Sequence, residues 1–332
     1  MALLNLKVKK MKKLAIVSLF IFVSLILFSC NTNTIYELTP IYAFDTVVSI
    51  KLQKNNDEYT LTKEQAEIHY RVIKSVLDDI TLSTNDFESN EYNNGLYDLN
   101  KERELAVDYY LVNILEYSVK LIDDTDGYFN PFLGRLNHIW KQSIKEKKVP
   151  SDDVIKKELE IAKNTSLKIE EDKVTIVGDG NIDLGGVVKG YALEWIKDYL
   201  IGQKITKFVI DCGSSSVYIG DMEATIYITK PYSGGYIEKL TLKNKGVATS
   251  NGKYQNIVID DNRYHHLLNP YTGYPSNYYE SISVMGNIDN GLLDAYSTAM
   301  FSMNEEKIRE FCKAKGLEAI LYMNDETKIK IA

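Results

Sequence analysis

Ile182-Asp183-Leu184-Gly185-Gly186-Val187-Val188-Lys189-Gly190-Tyr191-Ala192 carries the chain from a short apolar stretch into a helix through two adjacent glycines. The helix follows from the spacing of Val187, Tyr191, Trp195 and Tyr199, with Val188, Ala192, Ile196 and Leu200 beside them, which lines apolar side chains along one face. Glycines at a strand-to-helix turn let the backbone approach a ligand closely, and the first helical turn offers unpaired N–H groups to an anion. Lys189 puts a positive charge there, which is unfavourable at a helix start unless an anion answers it. A plain tight turn explains the paired glycines as well, so the stretch needs support from the rest of the chain.

Outward from this turn, helices and short strands alternate without a Pro-rich or Gly/Ser-rich linker. Residues 46–52 are β-branched and alternating, which predicts a strand. Thr62 with Gln65 forms a capping-box pattern ahead of Ala66, Tyr70, Ile73, Val76, Leu77 and Ile80, which keep the helical period. The Asn- and Ser-rich run 83–94 reads as loop. Val107, Leu111, Ile114, Leu115 and Ile122 predict a second amphipathic helix ending at Gly127. Short strands are expected at 207–210, 217–219, 225–229, 237–242, 255–259 and 281–285, then a helix capped by Asn304 and closed by Gly316, then a hairpin at 317–323 and 328–331. Strands in meanders with interspersed helices indicate an α+β fold.

At the N-terminus, five lysines between Lys7 and Lys13 precede an uncharged apolar run from Leu14 to Phe28 that stops at Ser29 and Cys30. This is the order of a secretory signal, and the run is shorter than the about 20 residues a membrane-spanning helix needs. Residues 1–29 are therefore expected to be a lipoprotein signal peptide, 30–40 a lipidated Cys30 with its tether, and 41–332 the folded domain, exported and anchored to the outer face of the cell membrane. An uncleaved anchor or an ordinary secretory cleavage is the alternative. Loss of the five lysines takes the formal charge from −7 to near −12, which makes nucleic acid an improbable partner. Cys212 and Cys312 read as buried thiols, too few for a disulfide framework.

Two further groups bear chemistry. Asp294 and Thr298 lie four apart in a helical segment, so their oxygens share a face and could serve a hard cation, although an exposed Asp with a back-bonded Thr is the simpler account. His265 and His266 precede Pro270 and Gly273, which fix a turn. An imidazole held there could take a proton from a hydroxyl, or both histidines could merely cap the turn.

Taken in order, these pieces resemble the ApbE family of flavin transferases, whose exported members are often lipoproteins. Asp183-Leu184-Gly185-Gly186 with Lys189-Gly190-Tyr191-Ala192 is the most specific part. Phe44 to Val47 resembles the family's entry strand, Gly127 to Trp140 its segment beside the flavin nucleotide, residues 246–250 its Ala-Thr-Ser strand, 266–273 its His-x-x-Asp-Pro-x-Thr-Gly, and 294–298 its Asp-Ala-x-x-Thr. The resemblance implies two interleaved lobes of mainly antiparallel sheet with packed helices and a nucleotide cleft between them. It further implies a magnesium site from Asp294, Thr298 and a main-chain oxygen near Gly186. Phe44, Tyr128, Phe129, Asn130, Asp183, Lys189, Leu268 and Ser297 would contact FAD as substrate, with His266 the candidate for activating the hydroxyl. The implied reaction moves FMN from FAD to a Ser or Thr hydroxyl of a flavin-acceptor protein in an electron-transfer system and releases AMP. An FAD pyrophosphatase or a non-catalytic FAD-binding lipoprotein are the alternatives. Asn130 and Asn269 stand where the family usually has acids, and Cys212-Gly213-Ser214 replaces most of a Gly-Gly loop.

Overall fold

Alternation along Thr46–Gln53 turns Val48, Ile50 and Leu52 into the core and leaves Val47, Ser49 and Lys51 on the opposite face. In the computed structural model, which describes residues 34–54, 61–253 and 255–332, this strand belongs to a nine-stranded sheet. The order across the sheet is Ile35–Glu37, Thr46–Gln53, Phe208–Cys212, Ser216–Ile219, Lys245–Asn251, Ser281–Gly286, Glu318–Tyr322 and Lys328–Ile331, with Ile41–Ala43 also paired to Thr46–Gln53. From Ile41–Ala43 to Lys328–Ile331 the pairings are antiparallel. Among the described residues a three-stranded sheet and two two-stranded ribbons complete the strands, and the α+β expectation with mainly antiparallel sheet holds. Residues Tyr36–Ala332 form one compact unit. The signal segment, Cys30 and residues 31–33 lie outside the described residues.

Helices Lys63–Thr84, Val188–Gly202 and Asn290–Met300 cover the core face of the large sheet and its flank. The first starts where its capping box requires: the Gln65 amide donates to Thr62 Oγ1 at 3.2 Å and the Thr62 amide to Gln65 Oε1 at 2.9 Å. It runs through Ser83 and Thr84, both expected in loop, and each hydroxyl bonds back to a carbonyl one turn earlier. Helices Leu96–Glu102, Gly134–Glu146 and Asp152–Lys163 are additional to the sequence expectations. Gly134–Glu146 has no side-chain cap; tertiary structure starts it, with the Gly134 amide donating to the Asn181 carbonyl at 3.0 Å. Among the described residues no helix is long and apolar enough to cross a membrane.

The Val188–Gly202 and Asn290–Met300 helices cross at Gly190, where a Cβ would lie 2.2 Å from the Asn290 carbonyl oxygen and 2.6 Å from Asp294 Cβ. Helix propensity and packing therefore make opposite predictions for Gly190→Ala. Propensity alone favours alanine by about 1 kcal/mol, whereas the clash is with backbone and with a Cβ that has no rotamer to escape into. We expect a net loss of about 1–3 kcal/mol in urea unfolding, as for other overpacked cores; a more stable Gly190→Ala protein would show that the helices can part at no cost.

Candidate functional site

A cleft of about 1320 Å³ takes its walls from the solvent-side face of the large sheet, from the ribbon strand Ala224–Thr229, and from the turn that begins the Val188–Gly202 helix. Asp183 organises that turn. Its Oδ1 accepts the Gly185 amide at 2.7 Å, and its Oδ2 accepts Asn137 Nδ2 at 3.0 Å and Lys141 Nζ at 3.4 Å. Burial pushes this carboxyl up, but Lys141, the Gly185 amide and Asn137 together hold it below the ordinary aspartate value. Lys189 Nζ reaches back to the Gly185 carbonyl at 3.3 Å.

Asp294 is 4 % exposed, so the exposed-aspartate account fails. Its Oδ2 accepts the amide of Gly190 at 2.9 Å. That amide lies in the first turn of the Val188–Gly202 helix, where it has no acceptor within the helix, so Asp294 caps it. Thr298 does back-bond, its hydroxyl donating to the Asp294 carbonyl at 3.2 Å, and it also lines the cleft. A Cβ on Gly186 would sit 3.2 Å from both Thr298 Oγ1 and Phe129 Cε2, so the turn, the threonine and the aromatic ring abut. Burial raises the Asp294 carboxyl against the pull of Lys189, the Gly190 amide and Ser216. The Ser216 hydroxyl itself is buried without a hydrogen bond of good geometry.

Among the described residues no three His, Cys, Asp or Glu side chains gather to hold a metal. A cation here would rest on one carboxylate, one threonine hydroxyl and a main-chain oxygen. This all-oxygen set suits a hard ion that completes its shell with water and phosphate, as magnesium does, and suits zinc poorly.

The two histidines have separate surroundings. His265 is buried: its Nε2 donates to the Ser276 carbonyl at 2.8 Å and its Nδ1 accepts the Leu267 amide at 3.2 Å, which is the turn-capping arrangement. His266 lines the cleft, and its Nδ1 is buried with no hydrogen-bond partner. Burial pushes both imidazoles down to about 4; for His266 the Gln255 backbone opposes this while Lys189 and Lys141 add to it. Each is therefore neutral near pH 7, and only His266 has an unspent nitrogen to accept a proton.

Phe44, Tyr128, Phe129, Asn130, Asp183, Lys189 and Leu268 all line the same cleft. Phe44 and Asp45 both have positive φ, 52° and 56°, in the tight turn between two paired strands, a conformation that disfavours such side chains and so fixes Phe44 at the rim under strain. Ser297 lies elsewhere: it is fully buried, its hydroxyl shared between Ser250 Oγ at 2.8 Å and the Asp294 carbonyl at 2.9 Å, so it supports the cleft wall from behind. Asn130 Oδ1 accepts the Phe132 amide and Asn269 Oδ1 the Tyr271 amide, at 2.9 and 2.8 Å. Both asparagines thus supply the one acceptor the turn requires, which an aspartate would supply equally. Lys141, Asn137 and Phe87 also line the cleft, and sequence reading did not single them out.

Solved structures share this architecture. The ApbE protein of Thermotoga maritima is similar with a TM-score of 0.75, covering 90% of this chain and 97% of that one at 24% identity. The flavin transferase ApbE from Vibrio cholerae is similar with a TM-score of 0.73 over 90% and 97% at 18% identity. The class is thus a mixed antiparallel fold with a cleft at a Gly-Gly helix start. Residues 44–321 match the ApbE family, and the chain belongs to it. Relatives include the FAD:protein FMN transferase of Klebsiella pneumoniae (strain 342), 29% identical over 188 residues, 55% of this chain and 58% of that one. The FAD:protein FMN transferase of Treponema pallidum (strain Nichols) is 24% identical over 250 residues, 67% of this chain and 68% of that one. The match therefore spans less than two thirds of the Klebsiella protein.

The histidine shifts fix a pH dependence. Both folded-state values lie below the ordinary 6.5, so on acidification the unfolded chain takes up these protons first and stability falls from pH 6.5 towards about 4. The loss should be of the order of 1–3 kcal/mol per histidine, read from urea midpoints between pH 7 and 4.5, and should flatten in His265→Asn and His266→Asn proteins. An unfolding midpoint that stays level across that interval would contradict the burial assigned to both rings.

Proposed function

We propose that this chain transfers the FMN half of FAD to a Ser or Thr hydroxyl of an acceptor protein and releases AMP, using magnesium. The names of its relatives point to this reaction, and the buried Asp294 carboxylate beside the Gly185-Gly186 turn carries the reading for this chain. A magnesium ion held by Asp294, Thr298 and the Gly186 carbonyl would neutralise pyrophosphate charge as it shifts onto the leaving AMP. The protein's own part is to position and to manage protons. The Gly-Gly turn admits phosphate oxygens close to the backbone, and Lys189 answers their charge from the first helical turn. The acceptor hydroxyl attacks the phosphorus on the FMN side. Its proton passes to His266 Nδ1, the new P–O bond forms, and the P–O bond to AMP breaks with its electron pair leaving on AMP.

The acceptor belongs to the class of flavin-carrying electron-transfer proteins. The lysine-rich start, the apolar run and Cys30 support export and a lipid tether at the outer face of the membrane, where an acceptor would have to present its hydroxyl.

The test is AMP release from FAD by a chain starting at Asn31, with and without magnesium and a flavin-acceptor domain. Magnesium-dependent AMP release that needs the acceptor and leaves it covalently yellow is the expected result. Asp294→Asn, which keeps the size of the side chain, should lower that rate by about 10²-fold or more, the scale on which preorganised charge stabilisation acts. Release without acceptor would instead mean hydrolysis to FMN and AMP, and FAD binding with no AMP under any condition would reduce the chain to a flavin binder.

A further inference from the structure

The chain enters the fold at the end of the large sheet where the Val188–Gly202 helix finishes. Glu37 pairs with Lys51 at 2.7 Å, the Leu38 amide donates to the Ile50 carbonyl at 2.9 Å and Ile41 lies opposite Val48, so the entering segment runs antiparallel beside Thr46–Gln53 and starts at that strand's last residues. There the Gln53 amide donates to the Lys207 carbonyl at 2.8 Å, and the Ile205 amide to the Leu200 carbonyl at 2.9 Å, which joins the entry point to the last turn of the helix. The Lys63–Thr84 helix reaches the same place with its second turn, where His69 Nδ1 and the Tyr199 hydroxyl share a hydrogen bond of 2.9 Å. Beside that contact the two helices show an apolar and aromatic surface. Ile68 and Val72, four apart and so on one side of their helix, are 51 % and 37 % exposed, and the half-buried Trp195 and Tyr199 rings stack at 5.4 Å with 6° between planes. Lys63, Arg71 and Lys204 offset Glu64, Glu67 and Asp198 around it, so this face lacks the acidic excess of the chain as a whole.

Surface Trp and Tyr beside aliphatic side chains suit a lipid–water interface, where a ring buries its body and keeps its polar edge wet, and a face without negative excess is not repelled by an anionic bilayer. The tether decides what lies against this face. Cys30 stands six residues before Tyr36, so even a fully extended connection spans only about 20 Å. Across the sheet, two strand spacings of about 10 Å in all separate the entering segment from Phe208–Cys212, the strand that follows Lys207. We infer that Ile68, Val72, Trp195 and Tyr199 form a membrane-seating face that rests in the bilayer interface when Cys30 carries its lipid. The inference rests on the lipid tether of the proposed function. Trp195 and Tyr199 belong to the last two turns of a helix whose first turn lines the cleft, so seating leaves the Gly185-Gly186 turn uncovered.

Vesicle attachment through Cys30 tests the seating. Cys212 and Cys312 are buried, so a maleimide lipid couples a chain starting at Cys30 through that thiol. Of the two tryptophans, Trp195 reports on the face and Trp140 is fully buried. On phosphatidylcholine vesicles brominated in the upper acyl chain, most of the Trp195 emission should be lost relative to unbrominated vesicles. A Trp195→Phe protein, which keeps only Trp140, should show no loss, and Ile68→Asp combined with Val72→Asp should restore the Trp195 emission. Equal wild-type emission on both kinds of vesicle, or equal quenching of the Trp195→Phe protein, would overturn the seating. So would sedimentation in which the untethered chain dimerises and the Ile68→Asp, Val72→Asp protein does not, since the face would then belong to a second copy. The unfolding midpoint of that double variant should match the wild type, because both side chains are exposed. Mass spectrometry of the full chain made in a bacterial host keeps the two readings apart: an unmodified Cys30 removes the tether and the inference with it, whereas an acylated Cys30 without quenching removes the seating alone.

Discussion

One hydrogen bond, from the Gly190 amide to Asp294 Oδ2, holds the site and the core in register. It requires that two helices approach until backbone touches side chain, which is possible only because Gly190 has no Cβ to meet the Asn290 carbonyl and the Asp294 Cβ. It satisfies an amide of the first helical turn that has no acceptor within the helix. It also gives a carboxylate that is nearly inaccessible one fixed partner, without which burial alone would favour its neutral form more strongly. Packing, helix start and charge are thus set by the same contact, and none of the three can be changed alone.

Around this contact the cleft is built from ties that each serve two groups. Asp183 binds the Gly185 amide on one side and Asn137 and Lys141 on the other, so the Gly134–Glu146 helix and the glycine turn move together. That helix is in turn fixed by Trp140, fully buried, whose Nε1 donates to the Gly273 carbonyl at 2.8 Å. The turn that holds Asn269 and ends at Gly273 follows directly on His266, so the same indole bond steadies the segment bearing that imidazole. Rigid support of this kind is what keeps an unspent imidazole nitrogen in position before any ligand arrives.

The parts of this arrangement that were legible in the sequence are those whose signal is local. The capping box at Thr62 and Gln65, the Asn304 cap and the Gly316 stop are written in residues three to twelve apart, and the structure places them as read. The glycine turn, Asp294 and Thr298 were legible as candidates, but only the fold could decide that Asp294 is buried and that Thr298 is both back-bonded and on the cleft. Ser297 illustrates the limit: next to Thr298 in sequence, it points a third of a turn away and into the wall. The Gly134–Glu146 helix was hidden because its start is set by Asn181, nearly fifty residues away, so Asn137, Lys141 and Asp183 could not be brought together on paper. The Asp152–Lys163 helix is a different case, since Ser151 followed by Asp152 and Asp153 is an ordinary helix start and Ile155, Leu159 and Ala162 keep the period.

Charge gives the last link between the cleft and its ligand. Six carboxylates line it, from Asp45, Asp86, Glu88, Asp183, Asp211 and Asp294, against the four ammonium groups of Lys51, Lys141, Lys189 and Lys253. His266 is neutral near pH 7 and changes nothing in that balance. A cleft whose own groups lean negative repels a pyrophosphate, and the chain as a whole is acidic too. Lysine charge cannot close the gap, because Lys141 is already engaged by Asp183. On the proposed reading a dinucleotide would enter more favourably with positive charge beside it, and the buried Asp294 carboxylate on the cleft is where a cation would find an anionic partner. Were a metal and a nucleotide to share the cleft, each would supply the charge that the other lacks and their binding would be positively coupled.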